Sequence, residues 1–288
     1  IGAGPTMEQY IKVLKYLKNP KIQILGIYSR TPFKAKKLQK KYKIKFLCKN
    51  IDELYNKTKA DVLFSVISVE NIGKVSLKAA KYPWKIFTEK PFGINYSDNL
   101  KLSKKLKDKK KKIFIGLNRA FLSSVISLLK YLKNDKSKRI INVFDQQNIS
   151  LFSNKKYSTN FKKNLMFSNS IHLFTIVKLL ARGNYKSIKE LLNYRNKSEK
   201  FIIKKITFSS GDIVIFNSIW NRPGPWKIDL STSNNFFSLN PLEKLSVRTK
   251  TSKKDIKVKI SSEDKKFKPG FKKQIEFFFS NIKNNKSL

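Results

Sequence analysis

Apolar positions along the first 118 residues switch repeatedly between two periods. Met7, Tyr10, Ile11, Val13, Leu14 and Leu17 fall three and four apart and predict an amphipathic helix over 6–18. Ile22 to Tyr28 follows as a short apolar strand, and Pro32 opens a helix running to Tyr42. Phe46-Leu47-Cys48 predicts a brief strand, and Ile51 to Asn56 a short helix. The run Asp61-Val62-Leu63-Phe64-Ser65-Val66-Ile67-Ser68 is apolar on both faces, as in a strand buried within a parallel sheet. A helix over 71–80, a strand over 84–88, an amphipathic helix over 96–109 and a strand over 113–117 complete the series. Strands alternating with helices imply βαβ units and a doubly wound parallel α/β sheet of the Rossmann kind. Ile1-Gly2-Ala3-Gly4 reads as the end of its first strand, truncated.

Beyond Asn118 the rhythm changes. Helices are predicted over 121–132 and 168–181, with a long strand over 140–150 between them. Strand-like runs at 201–208, 212–220, 226–232, 235–239, 244–250 and 255–260 follow, some of them separated by turn residues such as Ser210-Gly211 and Pro223-Gly224-Pro225. A closing helix is predicted from Pro269 to Asn284, with Phe271, Ile275, Phe278, Phe279 and Ile282 on one side. The pattern divides the chain into a dinucleotide-binding domain at 1–118 and an α+β domain at 119–288 with a mainly antiparallel, open sheet.

Composition narrows the classes. A 40% apolar fraction in 288 residues suffices for two packed cores. No run approaches the length of a membrane span. Cys48 stands alone, so an intramolecular disulfide is excluded and a reducing cytoplasm is the expected setting. One histidine and one cysteine cannot supply the usual ligand set of a metal site, and none is expected. The net charge of +44 keeps a nucleic-acid-binding protein open as an alternative. Yet only seven of the 63 basic residues are Arg, the fork suited to bases and phosphates, and lysines are spread over every helical stretch. A lysine-rich compositional bias, without a specific nucleic-acid or membrane partner, is the reading adopted.

Gly2-Ala3-Gly4-Pro5-Thr6-Met7 leads from a strand end into a helix. Glycines there let the backbone turn tightly and approach a pyrophosphate seated at the helix N-terminus, although Met7 stands where a third glycine is usual. The second strand ends on Tyr28-Ser29-Arg30 rather than on an acid that would hold a ribose hydroxyl. A hydroxyl and a guanidinium suit a 2′-phosphate, which favours NADP over NAD. The end of the next long strand, Ser65, Val66, Ile67 and Ser68, is expected to line the same dinucleotide.

Further on, Glu89-Lys90-Pro91 closes a strand, Gly116-Leu117-Asn118-Arg119 closes another, and Asn169-Ser170-Ile171-His172 lies in a helix. Joined to the N-terminal Gly-x-Gly, this ordered set resembles the Gfo/Idh/MocA oxidoreductases over essentially the whole chain. Trp220-Asn221-Arg222-Pro223-Gly224-Pro225-Trp226 and Pro241-Leu242-Glu243 resemble the subset associated with surface-polysaccharide sugars. The resemblance implies that Lys90 sits by the nicotinamide and the reacting carbon, with a cis bond before Pro91, and that Glu89 and Asn118 also contact the cofactor. It implies a sugar or nucleotide-sugar substrate and a homo-oligomer. Arg119, Ser168, Asn169, His172, Trp220 and Asn221 are the expected substrate contacts, together with Lys90. Chemically, hydride loss from a carbinol carbon requires the hydroxyl proton to leave, which an ammonium and an imidazole can manage. Lys90 and His172, the sole histidine, are the catalytic candidates. Ser168 and Thr175 stand where many relatives carry Asp, which leaves a noncatalytic dinucleotide-binding sensor as the second alternative. Ordinary sheet packing of Trp220 and Trp226, and a structural ion pair for Arg119, stay open beside the binding roles.

Overall fold

The computed structural model describes residues 1–107, 113–152, 158–195, 200–252 and 254–283, and the lysine tract Lys109–Lys112 lies outside them. The chain forms two compact units, residues 1–117 with the closing helix, and residues 118–270. The boundary near 118 falls where the apolar rhythm changes. The closing helix, by contrast, was expected with the second domain and packs with the first.

In the first unit, helix α1 (Pro5–Tyr16) takes Pro5 at its first position, where a missing N–H costs nothing, and buries Met7, Tyr10, Ile11, Val13 and Leu14. Strand β1 (Gly26–Tyr28), helix α2 (Pro32–Tyr42) and strand β2 (Phe46–Cys48) follow, with β1 and β2 parallel. Helix α3 (Ile51–Thr58) starts on Asn50, whose side chain accepts from Glu53 N, while Glu53 reaches back to Lys49 N at 2.7 Å. These reciprocal bonds satisfy two N-terminal donors. Strands β3 (Val62–Ser65), β4 (Lys85–Glu89) and β5 (Ile113–Gly116) form a second parallel sheet, with helices α4 (Ile72–Ala79) and α5 (Tyr96–Lys105) as crossovers.

Ile1 and Gly2 join the two small sheets. The Ile1 amino group donates to Phe64 O at 2.6 Å, Val66 N donates to Ile1 O at 2.9 Å, and Gly2 N donates to Tyr28 O at 2.8 Å. On the other side of this bridge, a cavity of about 310 Å³ lies among Ile22, Ile24, Leu25, Val62, Leu63 and Phe64. This explains why β1 begins at Gly26 rather than at Ile22 as expected: residues 22–24 border open space instead of a neighbouring ladder, and only Leu25 O, just ahead of the strand, accepts from Phe46 N at 2.9 Å. One sheet face carries the rings of Phe64, Phe87 and Phe114, packed on Tyr10 of α1 and on Phe278 of the closing helix α10 (Phe271–Lys283). That aromatic layer is what draws α10 into this unit.

The second unit is built on an eight-stranded sheet of order β13-β12-β11-β10-β6-β9-β8-β7. Its strands are β6 (Ile140–Gln147), β7 (Tyr185–Arg195), β8 (Lys200–Phe208), β9 (Ile213–Trp220), β10 (Trp226–Ser231), β11 (Asn235–Leu239), β12 (Ser246–Thr249) and β13 (Ile256–Lys257). Only β6 and β9 pair in parallel. Helices α6 (Ser123–Leu132), α7 (Thr159–Lys163), α8 (Ile171–Leu180) and α9 (Glu263–Lys266) complete the unit, a turn of π-helix at Met166–Ser170 leading into α8. Leu128 and Leu132 of α6 and Ile176 and Leu180 of α8 close the core over Ile141, Val143, Val214 and Phe216. Strand β7 escaped the sequence reading. It is an edge strand exposed along its length, and shifts of register at Tyr185/Ser187 and Glu190/Leu192 erase the alternation that marks a strand. No helix among the described residues is long and apolar enough to cross a membrane.

Candidate functional site

The expected cofactor residues of the first unit gather at the C-terminal ends of its parallel strands, where open α/β sheets place their ligands. Gly2 has φ +102°, and a Cβ there would meet Val66 O at 2.0 Å. Glycine is therefore compulsory for the turn to pass that close to the end of β3. Gly4 differs: a Cβ built on it meets nothing within 4 Å. It precedes α1, whose first turn has no side-chain cap. An uncapped helix start with room above it suits a pyrophosphate and fits a dinucleotide.

Ser29 and Arg30 end β1 beside the Gly2 turn, through the bond from Gly2 N to Tyr28 O. Ser29 Oγ accepts from Thr31 N at 3.2 Å, and Arg30 is exposed. Ser65 and Val66 are buried at the end of β3, Ile67 is half-buried and Ser68 exposed. Ser65 faces Thr88 across the β3–β4 ladder. Glu89 and Lys90, both half-buried, close β4, and the Lys90–Pro91 peptide is cis. Glu89 accepts from Tyr10 Oη at 2.5 Å. Asn118 lies in the second unit, and its amide donates to Pro269 O at 2.9 Å.

The expected substrate residues of the second unit meet at one end of its sheet. The inward positions of β6 are Ile141, Val143, Asp145 and Gln147, so the buried face turns from apolar to polar partway along the strand. Asp145, 1% exposed, is the centre of that region. It accepts from Gln147 Nε2 at 2.6 Å, Ser170 Oγ at 2.5 Å, Trp226 Nε1 at 3.0 Å, Trp220 Nε1 at 3.4 Å and Ser218 Oγ at 3.5 Å. Neutral donors thus hold a buried carboxylate, and one anion orients two indoles. Asn169 donates to Gln147 Oε1 at 2.8 Å, joining the helix to the same network.

His172 is 4% exposed on the first turn of α8, two residues beyond Ser170, and Ser168 is buried one turn earlier. Thr175 Oγ1 donates to Ile171 O at 2.7 Å, a bond within the helix. Trp220 is 5% exposed and belongs to the packed floor, whereas Trp226 is half-buried. The Arg119 guanidinium lies 4.5 Å over the Trp226 ring and pairs with Glu243 at 2.5 Å. Asn221, exposed with φ +62°, accepts from Ile149 N at 2.8 Å and shapes the turn after β9. Asp145, Gln147 and Ser170 were absent from the expected site. The available signal was an acid on the inward register of an otherwise apolar strand, where a lone carboxylate demands partners.

Together these features define a class: a dinucleotide-binding parallel α/β unit joined to an α+β unit whose large sheet carries a polar site at one end. Residues 1–117 match the oxidoreductase family with an NAD-binding Rossmann fold. The first unit thus carries the NAD-binding Rossmann fold of the Gfo/Idh/MocA oxidoreductases. Among solved structures, a dehydrogenase from Chromobacterium violaceum superposes with a TM-score of 0.79 at 14% identity, covering 99% of this chain and 86% of the other. An oxidoreductase from Thermotoga maritima gives 0.77 at 15% identity, over 99% and 87%. A UDP-N-acetylglucosamine 3-dehydrogenase from Acidithiobacillus ferrooxidans gives 0.75 at 14% identity, over 100% and 88%. Identities this low establish the shared fold. Among curated proteins none matches the chain in sequence.

Proposed function

We propose that the protein transfers hydride between a nicotinamide dinucleotide, preferentially NADP, and a carbinol or keto carbon of a sugar or nucleotide sugar. The observation that carries this reading is the placement of the open Gly4 turn and Lys90 at the C-terminal ends of the first unit's parallel strands. The bound nicotinamide would accept or supply the hydride. Gly2, Gly4, Pro5, Thr6 and Met7 would receive its pyrophosphate, and Ser29 and Arg30 its 2′-phosphate. Ser65, Val66, Ile67, Ser68, Glu89 and Asn118 remain candidate cofactor contacts. Lys90 would steady the substrate oxyanion and His172 would carry its proton. Ser168, Asn169, Arg119, Trp220 and Asn221 are candidate substrate contacts. In the second unit, Asn169 and the Asp145-held indole of Trp226 offer amide and aromatic surface suited to a polyhydroxylated ring. The open sheet face, with half-buried Phe144, Ile203, Ile215 and Ile219 and exposed Leu192 and Tyr194, suits a second copy of the chain. The cytoplasm, with its nicotinamide pools, is the proposed setting.

The test pairs a binding measurement with a turnover measurement. Gly4→Ala should leave thermal stability unchanged, because its Cβ meets nothing, while weakening NADPH binding; unchanged binding would refute the cradle. Lys90→Ala should abolish turnover on a nucleotide-sugar panel yet retain cofactor affinity. A second reading, a sensor that binds the dinucleotide without chemistry, draws on the lack of carboxylates at Ser168 and Thr175. Tight NADPH binding with no turnover on any sugar would favour it.

A further inference from the structure

The first turn of α2 carries an aromatic ring that the fold does not use. Phe33 is 69% exposed, and among the large apolar side chains of the described residues only Tyr96 is more so. Ala35 and Leu38 supply the buried face of α2, and no other aromatic ring packs on Phe33 among the described residues. The Lys34 ammonium lies 5.9 Å from the centre of the Phe33 ring. Arg30, three residues earlier, is exposed, and no hydrogen bond or ion pair engages its guanidinium among the described residues. Arg119, Arg182 and Arg248, by contrast, each hold an acid. The first turn of α2 contains no acid that could take up either cation. Where β1 ends, the unit that carries the Gly4 turn therefore presents one open ring and two cations with no acidic partner among the described residues.

We infer that Phe33 is the platform for the adenine base of the dinucleotide, the purine stacking on its ring while Arg30 and Lys34 hold the 2′-phosphate. The inference rests on the dinucleotide reading of the first unit. In adenosine 2′-phosphate the phosphate and the base hang from adjacent ribose carbons, so a surface that binds one has the other beside it. Arg30 and Phe33 meet that requirement. Backbone positions three apart are separated by at most about 11 Å in an extended chain. The turn in which Lys34 N donates to Thr31 O at 3.1 Å draws these two closer. Every base has a π-face, and an exposed phenyl ring gains a stacking partner from the purine that the chain itself does not provide. The two tasks fall on different side chains. The cations read a phosphate that only NADP carries, whereas the ring reads a base that NAD shares.

The experiment is isothermal titration calorimetry of the full chain with NADPH and with NADH, the melting temperature serving as the control on folding. Phe33→Ala should melt with the wild type, because so little of the ring is buried. It should weaken NADPH and NADH by the same factor, about fivefold or more, as expected for one base stacked on one ring. Phe33→Trp should keep the wild-type affinities. Its added emission should be quenched on titration with adenosine 2′,5′-bisphosphate, which carries the base and the 2′-phosphate without the nicotinamide. Unchanged dinucleotide affinity in Phe33→Ala, a loss confined to NADPH, or unquenched emission in Phe33→Trp would overturn the inference. A wild type that binds neither dinucleotide would overturn it together with the reading on which it rests. No turnover enters the readout, so a protein that binds both dinucleotides yet reduces no sugar would refute the redox chemistry and leave the base platform standing.

Discussion

Asp212 gives the most direct quantitative test of what holds the second unit together. It is fully buried in the turn before β9, and both oxygens are engaged. Oδ1 accepts from Arg139 N at 3.0 Å and Arg182 Nη2 at 2.6 Å, and Oδ2 from Arg182 N at 2.9 Å and Nε at 3.0 Å. The two arginines in turn donate to the carbonyls of Leu132, Leu180, Lys136 and Ser137, so one carboxylate ties the ends of α6 and α8 to the sheet. Burial alone would raise the Asp212 pKa. The hydrogen bonds from Arg182 and Arg139 outweigh it and bring the pKa down to about 2 from 3.8. A folded-state value below the unfolded one means stability that is complete above pH 3.8 and lost as pH falls through 2. The shift is worth about 2.5 kcal/mol at neutral pH, of which about 1 kcal/mol is gone by pH 3. Asp212→Asn removes the charge while keeping the shape, and should destabilise the unit by about 3 kcal/mol at pH 7. Urea unfolding should show that the gap between wild type and variant narrows by about 1 kcal/mol between pH 7 and pH 3. A gap that is the same at both pH values would show that the carboxylate contributes through shape rather than charge.

Other variants probe the site. Arg30→Ala should weaken NADPH more than NADH in fluorescence titrations, since the exposed guanidinium would meet only the 2′-phosphate; equal losses would remove Arg30 from the cofactor. Asp145→Asn puts an amide N–H among the hydroxyl and indole donors that now converge on a carboxylate. It should cost at least about 2 kcal/mol in chemical denaturation and red-shift tryptophan emission, and a change below roughly 0.5 kcal/mol would mean that waters replace the anion with ease. Salt should raise the melting temperature, because it screens the self-repulsion of a +44 chain. It should also strip the protein from heparin at moderate concentration. Retention on a defined DNA sequence at high salt would instead revive the nucleic-acid reading.

The parallel half of the fold was legible because its helices and strands keep their periods. Pro32–Tyr42 and Phe46–Cys48 fall where the pattern placed them. Failures came where packing partners decide the outcome. Ile22 to Leu25 looks like a strand yet borders a cavity, and Ile260 lies beyond the short β13 although the apolar run continues to it. Strand β7 is concealed by its register shifts. At the candidate site, Lys90, His172 and Gly2 were proposed by motif and by resemblance. Asp145 was passed over because a pattern-based reading looks for chemistry in motifs, whereas this carboxylate is betrayed only by facing inward. The hydrogen bond that Gln274 donates to Tyr10 could not be read from sequence, because nothing local says that α10 returns to the first unit.

Acidic residues number only 19, and several occupy positions that a lysine could not fill. Asp145 and Asp212 accept several donors apiece within the core. Asp264 takes Ser123 N and Gly270 N, and Glu53 and Asn50 together satisfy the start of α3. These carboxylates stand where an acceptor is structurally required. Arginine tells the same story from the other side. Arg139 and Arg182 spend their forks on carbonyls and Asp212, Arg119 on Glu243, and Arg248 on Asp255. Guanidinium groups already paired within the chain are poorly placed to read bases or clamp a phosphate backbone. The excess charge is therefore a diffuse property of the surface.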